Sequence, residues 1–277
     1  MNFYQSKRVC ELNNANHLSN PESLVPSADG EYINYHEHPP AKCSNKLCSE
    51  PLECVIGRDG KDVCCDPGHI VLFFPRKSTT DFVVAEKPFV KTLTAFTVSM
   101  WVQMANDSKT NQSTTTLFSY AISDSIDNEL SIEIDASEVW VSIRDVITRH
   151  NMPENFLDEK WHHVCLIWDN SLGKYHFHID GVQIFEGVVA KGDQIRAPGA
   201  IVLGQDQDDY IAVFQEYQSF KGNLTNVNMW DKALDPSGVT DLAKRCPTGE
   251  GNLVKWSHLY AKLRHGAVQL VCLSSCM

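Results

Sequence analysis

The sequence predicts an all-β chain: a two-sheet β-sandwich with one short helix, preceded by a small disulfide-rich segment. Three observations carry this. From His69 onward, short runs of β-branched and aromatic residues recur between Asn, Asp and Gly punctuation, the rhythm of half-buried strands. Asp180-Gly181 stands between two such runs, a tight-turn signal. Six of the ten cysteines lie before residue 66, in a stretch rich in Asn, Ser, Pro and His that has no helical or strand period.

That stretch, residues 1–68, is read as the first unit and carries Cys10, Cys43, Cys48, Cys54, Cys64 and Cys65. A short polar segment without a core needs covalent staples, and no C-x-x-C pair with ordered histidine partners occurs, so disulfides are favoured over zinc despite His36 and His38. Residues 69–277 form the second unit. Strands are expected at 96–102 (FTVSMWV), 130–134 (LSIEI), 139–143 (VWVSI), 163–168 (HVCLIW) and 175–179 (YHFHI). The Asp180-Gly181 turn feeds a further strand at 182–185. One helix is marked by Asp235 as its cap and Pro236 at its first position, with Leu242, Ala243, Lys244 and Arg245 closing its last turn.

At 277 residues and 43% hydrophobic, the chain is long enough for a full-sized core and an appendage. Twenty-four Lys and Arg against 35 Asp and Glu give a net charge of -11, which repels phosphate backbones and anionic membranes and suits cations or basic partners. Nucleic acid is thereby disfavoured. No apolar run approaches the roughly 20 residues that a membrane-spanning helix needs. Ten cysteines point to an oxidising, extracellular compartment, although Met1 to Lys7 lacks the apolar stretch of a secretory signal peptide. N-x-[ST] sequons at Asn106, Asn111 and Asn223 are compatible with a secreted glycoprotein.

The segment Trp161-His162-His163-Val164-Cys165-Leu166-Ile167-Trp168 resembles the pentraxin signature, departing from it at Ile167 and Asn170. Leu203-Gly204-Gln205-Asp206-Gln207-Asp208, followed by Phe214, Gln218, Gly222 and Asn226-Val227-Asn228-Met229-Trp230-Asp231, resembles the long calcium loop and next strand of that family. Phe74-Pro75-Arg76 is similar to its first strand, Ser119-Tyr120-Ala121 with Asp127-Asn128-Glu129 to its other calcium loop, and Gly251-Asn252-Leu253-Val254-Lys255-Trp256 to its last strand. These matches run in collinear order over about residues 69 to 260. The resemblance, to the C-reactive protein and neuronal pentraxin kind of domain, implies a jelly-roll sandwich of the concanavalin and laminin-G type. It implies a secreted, calcium-dependent, lectin-like binding protein and no enzymatic activity.

Calcium takes six to eight hard oxygen ligands from loops that can converge. Carried over by resemblance, Asp127 and Asn128 supply side-chain oxygens, Asp206 and Asp208 bridge two ions, Gln207 offers its main-chain carbonyl, and Gln215 and Gln218 complete the second ion. Asp206 and Gln215 both stand where the family has Glu, which weakens the second site and leaves one or two ions. The family's apolar ligand pocket beside the calcium is replaced by Glu133, so the implied ligand offers its own oxygens: a carboxylate, a phosphate or the vicinal diol of a carbohydrate. The family also implies a homo-oligomeric ring of five subunits. Ser99 replaces the family's usual partner of Cys165, and Cys246 is implied to pair with Cys272 or Cys276.

Two other readings are carried. A laminin-G-like adhesion module without calcium shares the sandwich but lacks the paired Asp206 and Asp208. Glu133-Ile134-Asp135-Ala136-Ser137-Glu138 resembles the E-x-D-x-x-E motif of jelly-roll glycoside hydrolases, in which one strand aims three carboxylates into a sugar cleft. The residues after Glu138 do not continue that motif, and a Cys165–His163 nucleophile pair is disfavoured because a strand cysteine is usually a buried small hydrophobe.

Overall fold

The computed structural model describes residues 2–4, 9–11, 30–32, 48–56, 61–105, 114–135, 137–151, 158–244, 246 and 249–273. In the front segment, β1 (Asn2–Tyr4) pairs with β2 (Val9–Glu11) and β3 (Gly30–Tyr32), and β4 (Glu53–Ile56) pairs with β5 (Asp62–Cys65). The sandwich then follows as β6 (Ile70–Phe74), β7 (Phe82–Glu86), β8 (Ala95–Met104), β9 (Thr115–Ala121), β10 (Leu130–Ile134), β11 (Glu138–Ile143) and β12 (Val146–Asn151). It continues with β13 (Trp161–Asp169), β14 (Lys174–Ile179), β15 (Val182–Val188), β16 (Ala200–Leu203), β17 (Gly222–Trp230), β18 (Leu263–His265) and β19 (Gln269–Cys272).

These strands form two seven-stranded antiparallel sheets, ordered β12-β11-β10-β9-β16-β7-β18 and β15-β14-β13-β8-β17-β6-β19. Period-two alternation decides what lies between them. On β8 the residues Phe96, Val98, Met100 and Val102 face the shared core, as do Val164, Leu166 and Trp168 on β13. They meet Phe118, Tyr120, Ile132, Val141, Ile201 and Leu203 from the other sheet. The strands expected at 96–102, 130–134, 139–143, 163–168, 175–179 and 182–185 are present, with β8 and β13 longer than the apolar runs suggested.

The β14–β15 hairpin turns at Asp180 (φ 49°) and Gly181 (φ 80°), the left-handed pair that matches strand twist. Helix α1 (Pro236–Ala243) starts where anticipated: the Asp235 carboxylate accepts the Gly238 N–H at 2.8 Å. Its Val239 packs with Cys165 and Ile167 on the outer face of the second sheet. Arg245 lies outside the described residues.

Residues 251–256 depart from the expected last strand. Val254 makes a single bridge to Met229, and a second short helix, α2 (Trp256–Leu259), begins at once. The cause is one side chain on β17: Asn228 Oδ1 accepts the N–H of both Gly251 and Trp256 at 3.0 Å, donors a ladder would have used.

Cys48 is bonded to Cys64 and Cys65 to Cys272, and Cys54 and Cys246 are also in disulfides. The implied Cys246–Cys272 pairing is thus corrected, because Cys65 takes Cys272 on β19; the alternative partner, Cys276, lies outside the described residues. The favoured disulfide reading of the front segment holds at Cys48, Cys64 and Cys65, while Cys10's side chain and Cys43 lie outside the described residues. Val55 is buried in the sandwich core, and Tyr260 donates its hydroxyl to Glu53 at 2.7 Å, so β4 and β5 pack on the sandwich.

Candidate functional site

Two loops beside the first sheet carry the acidic residues. The first follows β9, folds back through a bridge between Ser123 and Ile126, and presents Asp127 and Asn128 before β10. Asn128 Nδ2 donates to Asp127 Oδ1 at 3.1 Å, and the Asn128 carbonyl accepts the Asp145 N–H at 2.9 Å. Behind it, Glu129 is fully buried and accepts the Arg196 backbone N–H at 2.5 Å and the Arg196 Nε–H at 2.7 Å. Arg196 also reaches Asp145 at 2.7 Å. This pair, a buried Glu129 and a half-exposed Arg196, ties the Asp127 loop, the β11–β12 turn and the segment entering β16 into one unit.

The second loop leaves β16 at Gly204 (φ 89°), where an added Cβ would strike the Phe74 ring, and is closed by the Phe220 N–H on the Gly204 carbonyl at 2.9 Å. Gln207 turns its side chain down onto the sheet: its Nε2 donates to Ser119 Oγ and to the Ala200 carbonyl, both at 3.2 Å, and its Oε1 accepts the Ile211 N–H at 3.0 Å. Asp206 is buried, with Oδ2 accepting from Gln218 Nε2 at 2.8 Å. Gln215 hydrogen-bonds Asp208 from across the same loop.

Burial and three neighbouring carboxylates, Glu133, Asp208 and Asp127 in that order, push the Asp206 carboxyl up to about 8. Burial and Asp127 raise Asp208 too, against the Gln215 hydrogen bond. Asp206 Oδ1, Gln218 Oε1 and Glu133 Oε2 are all buried without a hydrogen-bond partner. Like charges crowded under low solvation, with oxygens lacking donors, suit a hard cation, whose preferred ligands are carboxylate and amide oxygens. Among the described residues, no three His, Cys, Asp or Glu side chains form a closed metal cage.

The seven residues singled out from the sequence, Asp127, Asn128, Asp206, Gln207, Asp208, Gln215 and Gln218, all lie on these two loops. Their oxygens are not equally available, since the Gln207 side chain is spent on the sheet. Sequence reasoning missed the Arg196–Glu129 clamp, for which Glu129 beside Asp127-Asn128 was the signal. It set Glu133 beside the acidic loops by resemblance, but as a residue of the ligand pocket and not as a neighbour of Asp206.

The glycosidase arrangement is absent: Asp135 follows the end of β10, and its Oδ1 accepts the N–H of Ser137 and Glu138, both at 2.6 Å. Glu138 begins β11 and accepts the Trp140 indole N–H at 3.1 Å. The three carboxylates therefore do not share one strand. Cys165 is fully buried and free, opposite Ser99 on β8, and burial holds its thiol far above the reactive range.

The Pentaxin family sequence profile matches residues 70–270. The chain belongs to the pentraxin family. Human Pentraxin-4 is 33% identical over 223 residues, covering 76% of this pentraxin chain and 45% of that protein. Human Neuronal pentraxin-1 is 32% identical over 201 residues, covering 72% and 45% respectively. The chain thus spans less than half the length of these relatives. Among solved structures, the native heptameric SAP-like pentraxin from Limulus polyphemus superposes with a TM-score of 0.67 at 22% identity, covering 76% of this chain and 98% of that one, which shows the shared jelly-roll fold.

Proposed function

We propose that this pentraxin chain is a calcium-dependent extracellular ligand-binding protein of pattern-recognition or adhesion type. In this reading Asp127, Asn128, Asp206, the Gln207 main-chain carbonyl and Asp208 serve one Ca2+, and Asp206, Asp208, Gln215 and Gln218 a second. The observation that supports it best is the pair of converging loops whose buried Asp206 and Gln218 oxygens lack partners. Bound calcium would offer positive charge to an anionic, carbohydrate or phosphate-bearing ligand, while the protein residues hold it in place. Extracellular residence is supported by the disulfides at Cys48–Cys64 and Cys65–Cys272. No helix among the described residues is long and apolar enough to cross a membrane.

Oligomerisation into a ring is part of the proposal, supported by the heptameric state named for the Limulus relative. Outer strands β12 and β15 expose Val146, Ile147, Val182 and Val188, apolar positions on sheet edges. Of the sequons, Asn106 and Asn111 lie outside the described residues, while Asn223 donates its Nδ2 to Gln103 at 2.8 Å.

Calorimetric titration of calcium into the chain tests the reading, with Asp208→Asn as the control. Millimolar or tighter binding that the variant loses is the expected result. Absence of heat with wild-type protein up to that range removes calcium from the function and leaves a sandwich whose binding does not depend on metal.

A further inference from the structure

We propose that Glu133 is a fourth carboxylate of the cation site and binds the ion directly through its Oε2 oxygen; this rests on the calcium reading above. On β10 the flanking Ile132 and Ile134 face the core, so Glu133 stands on the outer face, yet it is only 4% exposed. Its Oε1 accepts from Ser131 Oγ at 3.4 Å, whereas Oε2 is buried with no hydrogen-bond partner. A covered carboxylate oxygen without a donor is a costly arrangement unless a cation reaches it.

Register places the group under the acidic loop. Ser131 pairs with Ser119 on β9, and Ser119 Oγ accepts both the backbone N–H of Gln207 at 3.3 Å and its side-chain amide. Ser131 in turn donates to Glu133, so a chain of contacts runs from Gln207 through the two serines to this carboxylate.

Burial decides between the two uses of such a group. An outside ligand cannot touch a side chain covered to this degree, but an ion held between Asp206 and Asp208 can. The neighbouring cation, Arg149, does not take that role: its guanidinium lies 3.9 Å over the Trp140 ring, which follows Glu133 in the same cross-strand row, and Oε2 stays unpartnered.

The test is calorimetric calcium titration of the full chain as wild type, Glu133→Gln and Glu133→Leu, joined to thermal melts in chelator and in calcium. A ligand role predicts that both variants weaken calcium binding at least about tenfold. It also predicts that they melt higher than wild type in chelator, since the repulsion with Asp206 is gone, and gain less from added calcium. A residue that only supports the fold would lower both melts and leave the affinity alone. Affinity of the folded variants within about twofold of wild type overturns the assignment while the calcium reading stands. A wild-type chain that binds no calcium overturns both.

Discussion

Histidine 163 shows how a single buried group ties family signature to acid sensitivity. It is fully buried on the outer face of the second sheet, with Nε2 on Ser99 Oγ at 2.8 Å, and burial, with His178 adding to it, pushes its pKa down to about 4. In the unfolded chain the imidazole titrates near the usual value of about 6.5. Between those two values the unfolded state holds the extra proton, so stability is fully present above about pH 6.5 and falls as the pH drops toward 4. The slope from this residue is at most about 1.4 kcal/mol per pH unit. His162 acts in the opposite sense: hydrogen bonds to Asp180 and Asp158 raise its pKa, so its stabilisation is complete below 6.5 and is lost as the pH rises through the raised value. Urea unfolding of wild type and His163→Gln from pH 4 to 9 separates them. The variant is expected to lose part of the acid-side slope and keep the alkaline-side behaviour. An unchanged acid slope would assign the sensitivity elsewhere, first to His178, whose pKa burial also lowers to about 4.

Elements whose signals are local were legible; those that depend on distant partners were not. Asp180-Gly181 and Asp235-Pro236 announced a hairpin and a helix start, and both formed because each needs only its own backbone geometry or a side chain three residues away. The polar edge strand β12 has little apolar alternation of its own and exists because β11 offers it a ladder. Helix α2 replaced an expected strand because Asn228, more than twenty residues earlier, captures its entry. The two legible features also touch each other: a Cβ on Gly181 would sit 3.1 Å from Ala243 Cβ at the end of α1. Gly181→Ala should therefore cost more than the roughly 1–2 kcal/mol of a left-handed alanine, because the helix must shift as well. Asp235→Ala should cost about 1 kcal/mol through the lost cap alone. Equilibrium denaturation of the two variants and the double variant checks the coupling: a double-variant cost equal to the sum would show that the turn and the helix do not share strain.

At the scale of the molecule, the seven residues of the proposed cation site could be picked from the sequence by resemblance because calcium chemistry limits which side chains serve. The burial of Glu133 beneath the acidic loop could not, since it follows from the register of β9 against β10 and from a loop that returns about seventy residues later. The front segment posed the same difficulty, as composition marked Cys65 for a disulfide but no local feature named Cys272. That bond spans 207 residues and fastens the end of β5 to the last strand of the second sheet. In the chain-entropy account a loop of that size contributes about 5.4 kcal/mol by restricting the unfolded state. Cys272 lies opposite Ile70 at one end of β6, whereas Phe74, whose ring lies under Gly204 and the acidic loop, is at the other end, four residues or roughly 13 Å away. Paired replacement of Cys65 and Cys272 by alanine should thus lower the melting temperature substantially while leaving calcium affinity close to wild type, because distant sites with no shared partners act additively. Melting and calcium titration of the same protein decide the matter. A variant that loses stability and calcium together would show that the sandwich transmits strain from its stapled edge to the loops, and that the front segment takes part in the site.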